Sequence, residues 1–421
     1  MYADLAIAPP LAERRGVSLM TVAFAVAVVL WSMHAFYFVF AQRPDDAMTA
    51  AAPSARDNLS YVAVWCLLYC AAAIVTLRDA WQRGIALRLL ALAPFAVLVV
   101  LSSLWANEPR SSLIFATMLA LNVVIAAALA ATVPPRLLLS IIAWTVVALS
   151  AVSLLMLLVD PASVVSDAGR PGLLMSGELV GVFGHKAAMG LYAALALLIL
   201  IFMDRSRWFW RATGIAIVAV ALMLSNAMAA SVNLVVVCCV LFVAARAGQR
   251  RELVVVVAAM SAIAFSAILP FLDLSWLSET LGRGATFTGR TGMWSLAPGF
   301  IAERPLLGFG YHSFFDATPF SQVWSLRATE EYFFTPNFHN SMLETLIGLG
   351  LVGAVGYLAI LVTANLAFLN RTLDRRLALV LAGTMILLTL VAATDVTFLA
   401  HNALSTVVLF YAFLVAGRDY G

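Results

Sequence analysis

A short polar stretch at the start of an apolar segment holds residues whose types could carry out chemistry. Residues 337–353, "NFHNSMLETLIGLGLVG", place His339 and Asn340 ahead of an apolar run in a chain that has only 5 histidines and only 11% charged residues. Histidine titrates near neutrality, so His339 is a candidate general base, and a helix N-terminus favours its neutral form. The alternative is a histidine that only caps or hydrogen-bonds the start of a helix. Asn340 is a candidate substrate-binding residue.

Two features of the same stretch favour structural roles. Ser341 and Glu344 match the S-x-x-E capping box, in which both side chains satisfy free backbone amides at a helix start. Gly348, Gly350 and Gly353 form a GxGxxG pattern, but a dinucleotide site needs a preceding strand, and these glycines lie inside an apolar segment. We interpret the glycines as small residues for close helix packing.

Basic residues elsewhere are candidates for binding an anion. Arg290, in "TFTGRTGMW", could hold phosphate oxygens through paired charge-assisted hydrogen bonds, or could contact lipid headgroups. Lys186, the chain's single lysine, follows His185 in "GVFGHKAAMG". It either snorkels at a membrane interface or, with His185 and Arg170, forms an anion-binding surface. Arg283 is a further candidate substrate-binding residue. The sequence predicts no metal site and no cofactor.

Two more ionisable residues lie near the C-terminal end, in "ATDVTFLAHNALS". Asp395 and His401 fall beside apolar runs, where an ionisable residue is by default a functional candidate. The connection between the two runs is so short that both residues could equally lie in the membrane interface.

Composition predicts the elements that position these residues. Hydrophobic residues make up 63% of 421 and the mean hydropathy is +0.99, which indicates an all-α polytopic membrane protein. Cys66, Cys70, Cys238 and Cys239 fall inside the apolar runs and are interpreted as small core residues. About twelve spans are predicted, near residues 18–40, 59–77, 85–104, 112–133, 137–159, 182–203, 209–226, 229–245, 253–272, 341–367, 377–394 and 399–416.

Loop charge predicts the topology. With the N-terminus inside, 16 of the 25 basic residues fall in short inner loops and the other 9 in outer loops, as the positive-inside rule requires. Both termini are therefore predicted to be cytoplasmic. The chain divides into spans 1–9 (residues 1–272), a long outer loop (residues 273–340) that is periplasmic in a Gram-negative cell, and spans 10–12 (residues 341–421).

The long outer loop is the predicted functional segment, because long connections in compact proteins are usually functional. It mixes aromatic side chains with arginines, which is typical of a segment folded over the membrane mouth rather than a flexible linker. Residues 291–303 are predicted to form a surface helix that Pro298 kinks or interrupts.

Several stretches resemble the O-antigen ligase and polymerase superfamily, especially its exopolysaccharide polymerases of the succinoglycan type. These are "GRTGMWSLAPGFIAERPLLGFGYHSFF" followed by "NFHNSMLETLIGLGLVG", with "SSLWANEPRSSL" and "VFGHKAAMG" earlier in the chain. The resemblance covers most of the chain in topology. It implies a glycosyltransferase fold of the helical C type and a metal-independent enzyme at the periplasmic face of the inner membrane.

The resemblance also implies substrates and roles. The donor would be an undecaprenyl-diphosphate-linked glycan, passed to a hydroxyl of a second lipid-linked repeat unit by polymerases or of the lipid A core by ligases. Arg290 would bind the diphosphate and His339 would activate or position the acceptor. A polysaccharide co-polymerase is an expected partner, and no nucleic acid is expected.

Two function classes remain open on the sequence. Within the enzyme class, the resemblance is nearer to the exopolysaccharide branch, which favours a polymerase over a ligase. The other class is a transporter or flippase without chemistry, which predicts internal repeats between the two halves and ionisable residues at mid-membrane. No clear repeat is visible, and the ionisable candidates gather at one predicted face.

Overall fold

The computed structural model describes residues 17–35, 59–80, 85–166, 177–203, 207–272, 290–315, 337–370 and 373–416. Within these ranges the chain is almost entirely helical. The main helices are α1 (Leu19–Ser32), α2 (Leu59–Val75), α3 (Ala86–Leu101), α4 (Pro109–Thr132), α5 (Pro135–Val159), α6 (Lys186–Phe202), α7 (Trp208–Ser225), α8 (Met228–Arg246), α9 (Arg251–Ile268), α10 (Arg290–Glu303), α11 (Ser341–Asn365), α12 (Arg375–Val391) and α13 (Leu404–Val415). A two-residue antiparallel ribbon pairs Val165–Ser166 (β1) with Glu178–Leu179 (β2).

Length and surface chemistry mark a multi-pass membrane protein. Among the described residues, eight helical segments are long and apolar enough to cross a membrane, and α1, α6 and α13 are shorter apolar helices. Each predicted span overlaps one of the helices, while the number of crossings stays a prediction. Many large apolar side chains of the bundle are exposed, such as Leu77 at 83% and Leu158 at 81%, which suits a surface that contacts lipid.

The four cysteines were expected in the core, and the structure places them differently. Cys66, Cys70 and Cys239 are exposed on the outside of the bundle, and Cys238 is half-buried. All four are free thiols. Their helices are apolar on every side, so hydrophobicity alone could not indicate which face turns inward.

One end of the bundle gathers the helix termini that flank the predicted outer loops. Asn340, just before α11, donates hydrogen bonds to the carbonyls of Ser266 near the end of α9 and Ala393 after α12. The amide of Tyr311 donates to the hydroxyl of Ser102, which follows α3. The opposite end carries the ion pair between Arg136 and Asp374, at the starts of α5 and α12.

The part of the long loop that the structure describes contains the predicted surface helix. α10 runs from Arg290 to Glu303 straight through Pro298, so the predicted interruption does not occur. Its buried residues share one face and pack into an aromatic core that is separate from the main core of the bundle. This aromatic core comprises Leu269, Met293, Trp294, Ala297, Phe300, Phe309, Phe314, Phe315, Phe338, Leu343, Ile347 and Ala393.

The glycine-rich stretch of α11, interpreted as a place of close packing, also contains a break in the helix that the sequence did not predict. Gly350 has φ 64° and ψ −164°, outside the helical region. Residues 305–310 lie along the break and form a set of backbone hydrogen bonds with it. These are Phe309 N to Ile347 O at 2.8 Å, Gly310 N to Gly348 O at 2.9 Å, Leu351 N to Pro305 O at 2.8 Å and Val352 N to Leu306 O at 3.2 Å. The outer segment therefore supplies the hydrogen bonds that the broken helix lacks.

Replacing Gly350 by alanine should destabilise the fold. A Cβ at Gly350 would lie 2.3 Å from the carbonyl carbon and oxygen of Leu306, and the positive φ disfavours any L side chain. We expect a loss of about 2–3 kcal/mol, seen as a lower melting temperature of the detergent-purified protein. Gly299→Ala is the matched control, because a Cβ there meets no atom within 4 Å. An unchanged melting temperature for Gly350→Ala would contradict this account of the break.

Candidate active site

The start of α11 is held in place by Asn340. Its side-chain oxygen accepts hydrogen bonds from the amides of Met342 and Leu343, both at 2.9 Å, so Asn340 is the N-cap. Its amide nitrogen donates to the two carbonyls of the neighbouring helix ends. Asn340 is fully buried and both polar atoms are used internally. These contacts favour a positioning role for Asn340 over the predicted contact with substrate.

The capping box is present in altered form. Asn340, not Ser341, is the cap, and the carboxylate of Glu344 accepts a hydrogen bond from the amide of Phe338. The hydroxyl of Ser341 instead accepts from the amides of Thr397 and Phe398, at 3.0 and 3.1 Å. Ser341 thereby ties the start of α11 to the α12–α13 connection, which contains Asp395.

His339 and Asp395 form a pair at the mouth of this end. The His339 Nδ1 lies 3.5 Å from the Asp395 Oδ1, and their side chains remain 29% and 35% exposed. His339 has φ 50°, and its amide donates to the side chain of Asn337 at 2.9 Å. With a proton on Nδ1 directed at Asp395, the imidazole carries its lone pair on Nε2. The arrangement orients a histidine whose second nitrogen can accept a proton.

α10 places Arg290 within electrostatic range of the same carboxylate. It is the first residue of that helix and is half-buried, and its charge interacts with that of Asp395. Trp294, one turn later, is 2% exposed and donates its indole N–H to the carbonyl of Phe338 at 2.7 Å. Because Phe338 precedes His339, this single hydrogen bond fixes α10 beside the imidazole. Trp294 is thus a positioning residue.

The predicted Lys186 and His185 join the cluster from α6. His185 caps this helix, with its Nδ1 accepting from the amide of Ala187 at 3.2 Å. Lys186 forms an ion pair of 2.6 Å with the buried carboxylate of Glu178, which also accepts from the side chain of Asn226 at 3.1 Å. Lys186 is therefore held by protein contacts at the edge of the site.

Shifts in the pKa values of the site's ionisable groups show which of these groups interact. Burial raises the pKa of Asp395, but the hydrogen bond and charge of His339, with the charge of Arg290, outweigh it and leave the pKa below its ordinary value. Its ionised form thus stabilises the fold above the unfolded-state pKa, and this contribution is lost as pH falls through the lowered value. Desolvation lowers the pKa of His185; Asp395 opposes this, while His339, Lys186 and Arg290 add to it.

The cluster can hold an anion next to a base. Burial lowers the pKa of Arg290 and Asp395 opposes the shift, yet a guanidinium stays charged at neutral pH. It has five N–H donors, enough to meet one carboxylate and a second anion together. Since Asp395 and Glu178 offset the charges of Arg290 and Lys186, the site is a set of directed donors rather than a strongly positive surface.

The structure brings together most of the predicted site residues. Arg290, His339, Lys186 and His185 all interact with one another or with Asp395. Arg170 and Arg283 lie outside the described residues, so their substrate-binding role stays a prediction. In the part of the chain that the structure describes, no group of three or more His, Cys, Asp or Glu side chains is arranged to hold a metal.

The sequence did not predict several contacts and residues of this end. It indicated Asp395 as a functional candidate or an interfacial residue, but not its pairing with His339, which is 56 residues away. Glu178 was not considered, although a carboxylate eight residues before a lone lysine was an available signal. His312, in "GFGYHSFF", was also missed.

Two comparisons with known proteins bear on this site. Residues 213–358 match the family model for O-antigen ligase, a range that includes Arg290 and His339. The chain is also 26% identical over 212 residues to the exopolysaccharide production protein ExoQ of Rhizobium meliloti (strain 1021), covering 47% of this chain and 48% of that protein. The match thus spans about half the length of that relative. Together the findings support a likeness to the O-antigen ligase/polymerase family.

Proposed function

We propose that this likeness extends to chemistry, and that the chain is a metal-independent glycosyltransferase that polymerises lipid-diphosphate-linked oligosaccharide repeat units. The donor would be an undecaprenyl-diphosphate-linked glycan, the acceptor a second such unit, and the product an exopolysaccharide or O-antigen. The site would face the periplasm from the inner membrane, with both termini cytoplasmic. A polysaccharide co-polymerase that sets chain length is a proposed partner.

The observation that carries the proposal is that Asp395 pairs with His339 and also interacts electrostatically with Arg290. A glycosyl transfer from a diphosphate needs positive charge at the leaving group and a proton acceptor at the attacking hydroxyl. One carboxylate interacts with both a guanidinium and an imidazole, at an open end of the bundle.

In the proposed step, the bonds formed and broken and the transferred proton are all accounted for without a cofactor. The acceptor oxygen bonds to the anomeric carbon of the donor while His339 Nε2 takes its proton. The bond between that carbon and the diphosphate oxygen breaks, and the electron pair leaves with the lipid diphosphate. Arg290 stabilises the charge that grows on this oxygen. The activated donor linkage supplies the free energy.

A ligase reaction is the second candidate. The match of residues 213–358 to the O-antigen ligase model favours it, whereas the likeness to an exopolysaccharide production protein favours the polymerase. In a ligase the same site would transfer a finished glycan to the lipid A core. Both reactions use the same donor chemistry and differ in the acceptor.

Analysis of the glycans of a deletion strain separates the candidates. A polymerase mutant should lose long polymer while single repeats still reach their acceptor. A ligase mutant should instead accumulate full-length chains on the lipid carrier. Purified protein that extends lipid-linked glycan in detergent excludes a transporter, and its failure to do so with a matching donor and acceptor would contradict the enzymatic proposal.

A further inference from the structure

A second cluster of rings lies at the same end of the bundle, outside the site described above. The Phe115 ring lies 4.3 Å from the His401 ring with an interplanar angle of 29°, and 4.2 Å from the His312 ring. The two imidazoles are 5.1 Å apart. Phe115 is 8% exposed, His401 is half-buried and His312 is exposed. We call these three residues the ring platform.

The ring platform is held by a rigid frame. The hydroxyl of Tyr311, beside His312, donates to the carbonyl of Leu399 at 2.6 Å. On the other side of His401, the amide of Asn402 donates to the buried side chain of Asn122 at 2.7 Å. These contacts connect three parts of the chain that are far apart in sequence.

The backbone around the platform is also unusual. His312, Leu399 and Asn402 have φ of 53°, 58° and 61°, a region that L-residues seldom adopt. Such conformations persist where surrounding contacts fix them, and they concentrate at binding sites. The positive φ angles and the hydrogen bonds that hold the segment together indicate that the imidazoles have a role other than packing.

The platform borders the Arg290–His339 site across the start of α11. Glu344, which binds the amide of Phe338 next to His339, also interacts electrostatically with His312. His401 lies six residues after Asp395 on the connection that Ser341 secures. Glu344 and the α12–α13 connection therefore link the ring platform to the start of α11, where His339 lies.

Because a glycosyl transfer joins two substrates, a second binding surface beside the base is needed. We propose that the ring platform is the saccharide-binding subsite for the acceptor, which takes a sugar ring against its two imidazoles, the more exposed rings of the three. The C–H face of a sugar is attracted to the electron-rich face of an aromatic ring, and imidazole nitrogens can hydrogen-bond its hydroxyls. A diphosphate would instead require the arginine. This inference rests on the proposed transferase function.

His401 is the position for the test, since its own backbone is not in the left-handed region. His401→Leu removes the ring, and His401→Phe keeps a ring face without the nitrogens. The full chain in detergent is titrated with the lipid-free oligosaccharide repeat, and binding is followed by saturation-transfer NMR. We expect His401→Leu to weaken binding about tenfold, and His401→Phe to stay within about threefold of the original protein. Equal binding by His401→Leu and the original protein would overturn the proposal, as would a loss in His401→Phe as large as in His401→Leu.

A transfer assay separates this proposal from the proposed function. With the lipid-linked donor fixed, the apparent KM for the oligosaccharide acceptor should rise about tenfold in His401→Leu, while the KM for the donor changes less than about twofold. A rise confined to the donor KM would contradict an acceptor subsite. If the original protein binds the oligosaccharide at the platform but transfers no sugar, the subsite stands as a saccharide site and the transferase proposal fails.

Discussion

Arg290→Ala should reduce glycan transfer by at least about 100-fold, the scale seen when a preorganised donor to a developing negative charge is removed. Arg290 is half-buried at the start of α10, where its charge interacts with Asp395. Both donor binding and the chemical step should suffer, because the same guanidinium would hold the diphosphate before and after the bond breaks. The measurement is the rate of polymer formation from lipid-linked repeats by purified protein, with the donor KM.

Two variants make this result specific. Arg290→Lys keeps the charge but loses the paired planar donors, so its rate should lie between those of the original protein and Arg290→Ala. Arg110→Ala removes an exposed arginine, the second residue of α4, and should leave transfer unchanged. If correctly inserted Arg290→Ala made polymer at the rate of the original protein, the diphosphate-binding role would be abandoned.

Loss of the His339 imidazole should lower kcat by about 10²–10⁴-fold with little change in donor binding, as expected for a general base. The φ of 50° at His339 makes alanine a poor test, because it would combine loss of the base with backbone strain. His339→Asn and His339→Gly tolerate this conformation and isolate the side chain. Added imidazole should restore part of the rate in His339→Gly, which a purely structural histidine would not allow.

Asp395→Asn tests the orientation of the imidazole. The amide keeps the shape of the side chain, but its NH2 group can donate to Nδ1 and so no longer enforces the tautomer that presents Nε2. We therefore expect a fall in kcat of roughly tenfold or more. A His339→Asn variant with an unchanged rate, or a His339→Gly variant indifferent to imidazole, would remove His339 from the proposed chemistry.

Much of the candidate site could be predicted because its residues are polar or charged within a strongly hydrophobic chain. Arg290, Lys186 and His339 are polar side chains in a chain that is 63% hydrophobic, and each falls where an apolar run begins or where the long loop approaches one. A charged group that costs free energy in an apolar chain is retained only for a reason. This rule found the cations more readily than their carboxylate partners.

Local sequence patterns did not predict the contacts between segments that are far apart in the chain. The S-x-x-E pattern at Ser341 predicted the right kind of helix start but the wrong capping residue. The contacts that fix Asn340 and Ser341 come from the end of α9 and from the connection after α12. The glycines of α11 were predicted as packing residues, while the break at Gly350 is fixed by backbone hydrogen bonds from residues 305–310.

By itself the sequence determined a helical membrane protein, the approximate positions of its apolar segments and the cations of the candidate site, because hydrophobic run length and charge are properties of neighbouring residues. Only the tertiary structure decided the pairing of His339 with Asp395, the anchoring of Arg290 through Trp294 and the meeting of Phe115, His312 and His401. These contacts join residues 44 to 286 positions apart. Which of them meet depends on how apolar helices pack, and helices of nearly uniform hydrophobicity carry no local pattern that specifies their partners.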